Sequence, residues 1–199
     1  MFRLTPVVRN LIIINVIVFV FQNMAKNAVP LTEMLSLWNV HTPNFRPYQL
    51  FTYMFCHADF FHIFFNMLML SFAGPILEEF WGPKRFIVLY TICGVGAGLF
   101  NLAIDLVVGQ PSFLTMIGAS GAVYGVVTAF GIIFPDMELR LMFLPFSFRA
   151  KYLVMVLGAM AIISSVRPDA GDNTAHLAHL GGIVVAIILI QIWRRAGGS

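Results

Sequence analysis

Six long apolar runs divide this chain, and short polar stretches separate them. They cover 7–24, 57–77, 86–108, 117–134, 149–166 and 175–193, each near the ~20 residues that cross a bilayer core as a helix. Within each run the apolar residues are continuous rather than placed at every second position. That excludes a membrane barrel, whose strands alternate, and predicts an all-α membrane protein built as a six-transmembrane-helix bundle. Arg3 and Arg9 flank the start of the first run and give it the look of a signal peptide. Five more runs follow, so the pattern predicts an uncleaved first helix. No linker, repeat or low-complexity stretch intervenes, and residues 1–199 read as one membrane domain.

Charged residues make up only 11% of the 199, and hydrophobic ones 59%. A water-soluble domain of this size carries roughly 25% charge, so most of this surface is expected to face the lipid bilayer. The net charge of +3 is scattered and forms no basic stripe, which excludes a nucleic-acid surface. Cys56 and Cys93 sit in separate apolar stretches without metal-ligand spacing and read as buried thiols.

Lysine and arginine carry topology instead. Arg3, Arg9, Lys84, Arg85, Arg140, Arg149, Lys151, Arg194 and Arg195 fall on one side of the six-span scheme, and Lys26, Arg46 and Arg167 on the other. Both termini are therefore expected in the cytoplasm. The compact core without added domains points to a bacterial cytoplasmic membrane. The longest connection, about 25–56, holds Pro30, Trp38, Pro43, Pro47 and Tyr48. It is too apolar for a free loop and is expected to lie in the membrane interface.

Polar groups at membrane depth are expensive, which makes each one a functional candidate. The fourth run opens with Gly118-Ala119-Ser120-Gly121, followed by Tyr124. The sixth opens with His176-Leu177-Ala178-His179, and the second carries His62 and Asn66 on one helical face. Ser120 and His179 each lie 14 residues from the cytoplasmic end of their runs, at Phe134 and Trp193. At 1.5 Å per residue that is roughly 21 Å above the inner boundary. His62 and Asn66, counted back from Glu78, come out at roughly 24 and 18 Å, so all four share one layer. Small-residue stripes, Gly121-Gly125-Ala129 and Ala178-Gly182-Ala186, allow the fourth and sixth helices to approach closely.

These residue types permit acyl transfer. Histidine is the usual base for a serine nucleophile. The Ser120 backbone N–H near a helix start, with the side chains of His62 and Asn66, would meet a developing oxyanion. No carboxylate shares the layer in the fourth or sixth run, so a dyad is implied rather than a triad. Asp59 reads as an exposed helix-end residue, and His41 and His57 as solvated. Glu78 and Glu79, beside Lys84 and Arg85, read as a solvated helix end, with a hydrogen-bonded structural role open for one of them. Gly94, Gly96 and Gly98 read as a packing feature.

Three motifs, G-x-S-G at 118–121, A-H-x-x-G at 178–182 and H-x-x-x-N at 62–66, resemble those of the rhomboid intramembrane protease family, in order on the fourth, sixth and second runs. The resemblance covers nearly the whole chain. It implies an intramembrane serine endopeptidase with Ser120 as nucleophile, His179 as general base and His62 and Asn66 on the oxyanion side. It also implies Tyr124 packed on the catalytic histidine, with Gly118 as a further supporting residue. His176 lies one turn from His179, and the Ala-His-Leu-Gly-Gly context favours His179. Substrates would be transmembrane segments of other proteins, cut at small residues where the helix unwinds easily. The resemblance suggests entry between the second and fifth runs and water reaching the site through the loop before Ser120. No metal or other cofactor is implied, and the oligomeric state is left open. Phe45-Arg46-Pro47 only loosely echoes the family's first loop. Two other readings stand beside it: an inactive relative that binds membrane proteins without cutting them, and a transporter or channel using the intramembrane histidine and asparagine.

Overall fold

The computed structural model describes residues 3–108, 115–139, 147–166 and 173–197. Arg140 and Arg167 fall outside the described residues, as do the side chain of His176 and part of the connection before Ser120. Helices dominate: α1 (Pro6–Met24), α2 (Leu31–Leu35), α3 (Gln49–Thr52), α4 (Phe60–Val108), α5 (Ser120–Ile133), α6 (Ala150–Val166) and α7 (Asn173–Arg195). The all-helical expectation missed one small element. Strands β1 (Glu138–Leu139) and β2 (Phe148–Arg149) pair antiparallel between α5 and α6. Asp136 beside this clip accepts from Lys151 at 2.8 Å and Arg149 at 3.2 Å.

α1, α4 and α7 contain segments long and apolar enough to cross a membrane, while α5 and most of α6 are apolar but shorter. The second and third predicted runs are joined in the 49-residue α4. A straight helix of that length would extend roughly 74 Å, more than twice a bilayer core. It does not stay straight. Gly82 has φ 79° and ψ 163°, outside the helical region, and Pro83 follows it. Gly74 lies against the Phe86 ring and against Val8 of α1, so the two arms of α4 fold back on each other.

Both sides of that reversal are tied down. Glu78 is buried, and its carboxylate accepts hydrogen bonds from the Thr5 hydroxyl and from the Val7 and Val8 amides, both at 3.0 Å. It caps the first turn of α1, where backbone N–H groups have no helical acceptor and negative charge is favoured. The solvated-end reading therefore holds for exposed Glu79 but not for Glu78. Trp81 packs edge-on to Trp193 at 5.2 Å, Arg85 covers the Trp193 ring, and Phe80 meets Phe134 at 5.2 Å. The ends of α4's first arm, α5 and α7 thus gather in one aromatic cluster.

α5 is the central helix, buried from Gly121 to Gly131 except at Tyr124. The small-residue stripes explain how it gets there. A Cβ at Gly121 would meet Ala97 and the Ala178 carbonyl, one at Gly125 would meet Cys93 and the Gly182 carbonyl, and one at Gly182 would strike the Gly121 carbonyl. α5 is therefore clasped between α7 and the second arm of α4. The glycines of that arm are packing positions as expected, with Gly94 against Met54, Gly96 against Val185 and Gly98 against Leu37 and Tyr53. Cys56 and Cys93 are buried free thiols. Among the described residues, α6 packs mainly on α5 and α7, and exposes Tyr152, Met155, Val156 and Met160.

The connection 25–56 is folded onto the bundle. Gln49 is buried and accepts from the Arg46 amide while donating to the Asn44 carbonyl. The Tyr53 hydroxyl donates to the Gly94 carbonyl at 2.6 Å, and Leu37 bridges Met116 through both backbone groups.

Candidate active site

Ser120 is the first residue of α5, and the chain reaches it through a constrained turn. Met116 is held by Leu37, and the Gly118 amide donates to the Tyr53 carbonyl at 3.0 Å. Gly118 has φ +117°, a conformation side chains rarely adopt, and a Cβ there would lie 2.7 Å from His62 Nε2. Two independent constraints thus demand glycine at 118. The turn leaves Ser120 half-buried, in the first turn of α5, where backbone N–H groups have no helical acceptor.

His62 comes to this turn from the start of α4. Asp59 caps that helix, its carboxylate accepting the His62 amide at 2.9 Å. It is exposed, as expected. The Ala58 amide donates to His62 Nδ1 at 3.4 Å, which assigns the proton of the neutral ring to Nε2. That nitrogen faces the Gly118 Cα, on the side where Ser120 Oγ also approaches: the Cβ position at Gly118 is 2.7 Å from one and 3.7 Å from the other. Asn66 is buried one turn further along, and its Nδ2 donates to the His62 carbonyl at 2.9 Å. One of its amide hydrogens is therefore used within its own helix.

α7 brings His179. Its ring stacks on Tyr124 with centroids 4.2 Å apart and planes within 3°. Tyr124 is one turn after Ser120 on the same face of α5, and the helices touch at Gly121, Ala178 and Gly182. The imidazole therefore lies on the Ser120 face of α5. Ser120, Gly118 and His62 converge at the head of α5, with Tyr124 and His179 one turn below. Residues from three separate runs are thus gathered around the first two turns of α5.

One residue of this neighbourhood was misread. His57, expected to be solvated, is 2% exposed. Its Nε2 accepts the Ala119 amide at 3.4 Å, and its ring meets that of His62 edge-on at 5.0 Å. Its own amide donates to Gln22 Oε1 at 3.1 Å, and Gln22 Nε2 donates to the Thr32 hydroxyl at 2.9 Å. His57 precedes the membrane-crossing helix. Burial, with His62 second, pushes its pKa down to about 3, so the ring is neutral. A signal existed in the sequence: Gln22 is one of several polar residues within the first run, and polar residues at membrane depth have partners. His41, by contrast, is exposed as expected. Among the described residues no group of histidines, cysteines and carboxylates could hold a metal ion.

Comparison with known proteins identifies the family of the fold. Residues 44–196 match the family model described as the Rhomboid domain. A Bacillus subtilis protein, YdcA, whose name makes it a candidate rhomboid protease, is 27% identical over 95% of this chain and 91% of its own. The chloroplastic Rhomboid-like protein 11 of Arabidopsis thaliana is 29% identical over 73% of this chain. This chain spans about half of that protein (52%), and less still of several other relatives. The Inactive RHOMBOID-like protein 8 of the same plant is 31% identical over 56% of this chain. With more than half of its length matched by the family model and its helices long and apolar enough for a bilayer, the chain is an integral membrane protein of the rhomboid family.

Proposed function

We propose that this protein is an intramembrane serine endopeptidase that cuts other membrane proteins in or near their transmembrane segments. The observation that carries the reading is the His179 ring stacked flat on Tyr124, one turn from Ser120, with His62 Nε2 at the head of the same helix. In this reading residues 1–199 form one catalytic domain of six crossings, the two arms of α4 counting separately. The cytoplasmic side holds both termini and the aromatic end marked by Trp81 and Trp193. The membrane is the bacterial cytoplasmic one.

The chemistry follows from the residue types. His179 takes the Ser120 hydroxyl proton as Oγ attacks the scissile carbonyl carbon. The carbonyl oxygen, now anionic, is met by the Ser120 amide, by His62 Nε2–H and by the free amide hydrogen of Asn66. Collapse breaks the C–N bond, and the departing amine takes the proton from His179. Water then attacks the acyl ester, giving its proton to His179, and Ser120 leaves with that proton. Gly118 keeps the turn open for His62, and Tyr124 holds the imidazole plane. A substrate helix would enter between the first arm of α4 and α6, both of which expose apolar side chains, and would have to unwind locally to reach Ser120. Neither a metal nor another cofactor has a step in this scheme.

The test uses purified protein in liposomes with a reporter whose transmembrane segment carries small residues near its outer end. Cleavage by wild type, lost in Ser120→Ala and in His179→Ala, is expected. Cleavage that persists in Ser120→Ala rejects the reading. The similarity to a relative named inactive favours a second reading, binding of membrane proteins without proteolysis. Capture of the reporter without cleavage by folded wild type would select it.

A further inference from the structure

We infer that His57 is a positioning residue of this site, holding the Gly118–Ser120 turn and the His62 ring in register by accepting the Ala119 amide hydrogen. The inference deepens the protease reading and rests on it. His57 is nearly inaccessible, and the Phe55 carbonyl accepts from its ring. Because Nε2 accepts the Ala119 amide, the neutral ring carries its proton on Nδ1.

What the imidazole does provide is geometry. The Ala119 amide belongs to the peptide plane that follows Gly118, whose φ of +117° sets the approach to Ser120. Anchoring that plane at Nε2 fixes where the next amide, that of Ser120, points. The same ring abuts His62 edge-on. His62 is then enclosed on three sides: His57, the Ala58 amide on Nδ1, and Gly118 against Nε2. Two groups assigned to the oxyanion therefore lean on one side chain. Their support continues outward, because the His57 amide bonds Gln22 of α1, which bonds Thr32 of α2. Supporting shells of this kind matter because a displacement of about 1 Å in a reacting group lowers rate about 100-fold.

The experiment compares His57→Leu and His57→Gln in the full chain, purified in detergent. Three readouts are taken: thermal unfolding, kcat and KM on the transmembrane reporter, and the rate of Ser120 labelling by a fluorophosphonate probe. His57→Leu is expected to remain folded while kcat and labelling per folded molecule fall about 100-fold and KM stays within about twofold. His57→Gln, whose side-chain amide reaches the Nε2 position with an acceptor oxygen, is expected to restore most of the rate. Wild-type kcat in His57→Leu overturns the inference, as do equal losses in both variants. Should His57→Leu not fold, His57→Asn replaces it. Its shorter amide reaches only the Nδ1 position, so it must be slower than His57→Gln, and equal rates overturn the inference. Wild type that labels keeps the protease reading whatever the His57 variants do. Folded wild type that neither labels nor cleaves removes both.

Discussion

A methyl group at residue 182 would land where the backbone of α5 already runs. The Cβ of an alanine there would lie 2.0 Å from the Gly121 carbonyl oxygen, 2.9 Å from its carbonyl carbon and 3.3 Å from its Cα. None of these atoms belongs to a side chain that can rotate away. Restoring ordinary contact requires α5 and α7 to part by about 1 Å or more. Ser120 precedes Gly121 and His179 lies one turn before Gly182, so the gap opens between them. Gly182→Ala is thus expected to slow fluorophosphonate labelling and reporter cleavage about 100-fold, with an overpacking cost of about 1–3 kcal/mol. Gly158→Ala is the matched control, because a Cβ on that face of α6 meets nothing within 4 Å. It should label at the wild-type rate. A Gly182→Ala protein that folds and labels as fast as wild type would refute the claim that this helix contact sets the dyad's geometry.

Four further outcomes follow from other contacts. Glu78→Ala strands the first-turn amides of α1 that its carboxylate now satisfies. It should cost about 3 kcal/mol in unfolding by denaturing detergent, with labelling per folded molecule unchanged. Tyr124→Phe keeps the ring under His179 and should retain activity, whereas Tyr124→Ala should lose about fivefold in kcat, since aromatic stacking is worth about 1 kcal/mol. His62→Ala removes the donor proposed to meet the oxyanion and should lower kcat about 10²–10³-fold with little change in KM; a change confined to KM would assign it to substrate binding instead. Because His57 titrates at about 3 in the fold against 6.5 when free, the unfolded chain binds the extra proton. The contribution of His57 to stability is therefore flat above pH 6.5 and falls as pH drops toward 3. The loss between pH 7 and 5 is about 2 kcal/mol, and it should be absent in His57→Gln.

Much of this architecture was legible because lipid leaves a chain few options. A backbone in hydrocarbon must satisfy its own hydrogen bonds, so continuous apolar runs had to be helices, and residue counts along them placed Ser120, His179, His62 and Asn66 at one depth. The stripes at Gly121, Gly125 and Gly182 were readable for a similar reason, since only small residues allow helices to approach so closely. Pairings across distant sequence were not readable. A hydrogen-bonded role was open for either Glu78 or Glu79, and only the fold shows which, by bringing Glu78 to the amides of Val7 and Val8, some seventy residues away. His57 sits at the edge of a run, where solvation is the ordinary expectation. The closure of 25–56 over the bundle, through Gln22 and Tyr53, removes it from water. The break at Gly82 was placed in a loop by the run boundaries. In the structure the break is a single non-helical residue, from which two helical arms run, one for each predicted span.

The central claim is that Ser120 is activated by His179, and the most direct measurement is covalent labelling by a fluorophosphonate probe, which reacts with an activated serine. Wild type, Ser120→Ala and His179→Ala would be purified in detergent, each shown to be folded, and treated side by side. The account predicts labelling of wild type alone, with the probe recovered on Ser120. Folded wild type that takes no label, or a His179→Ala protein that labels as fast as wild type, would contradict it.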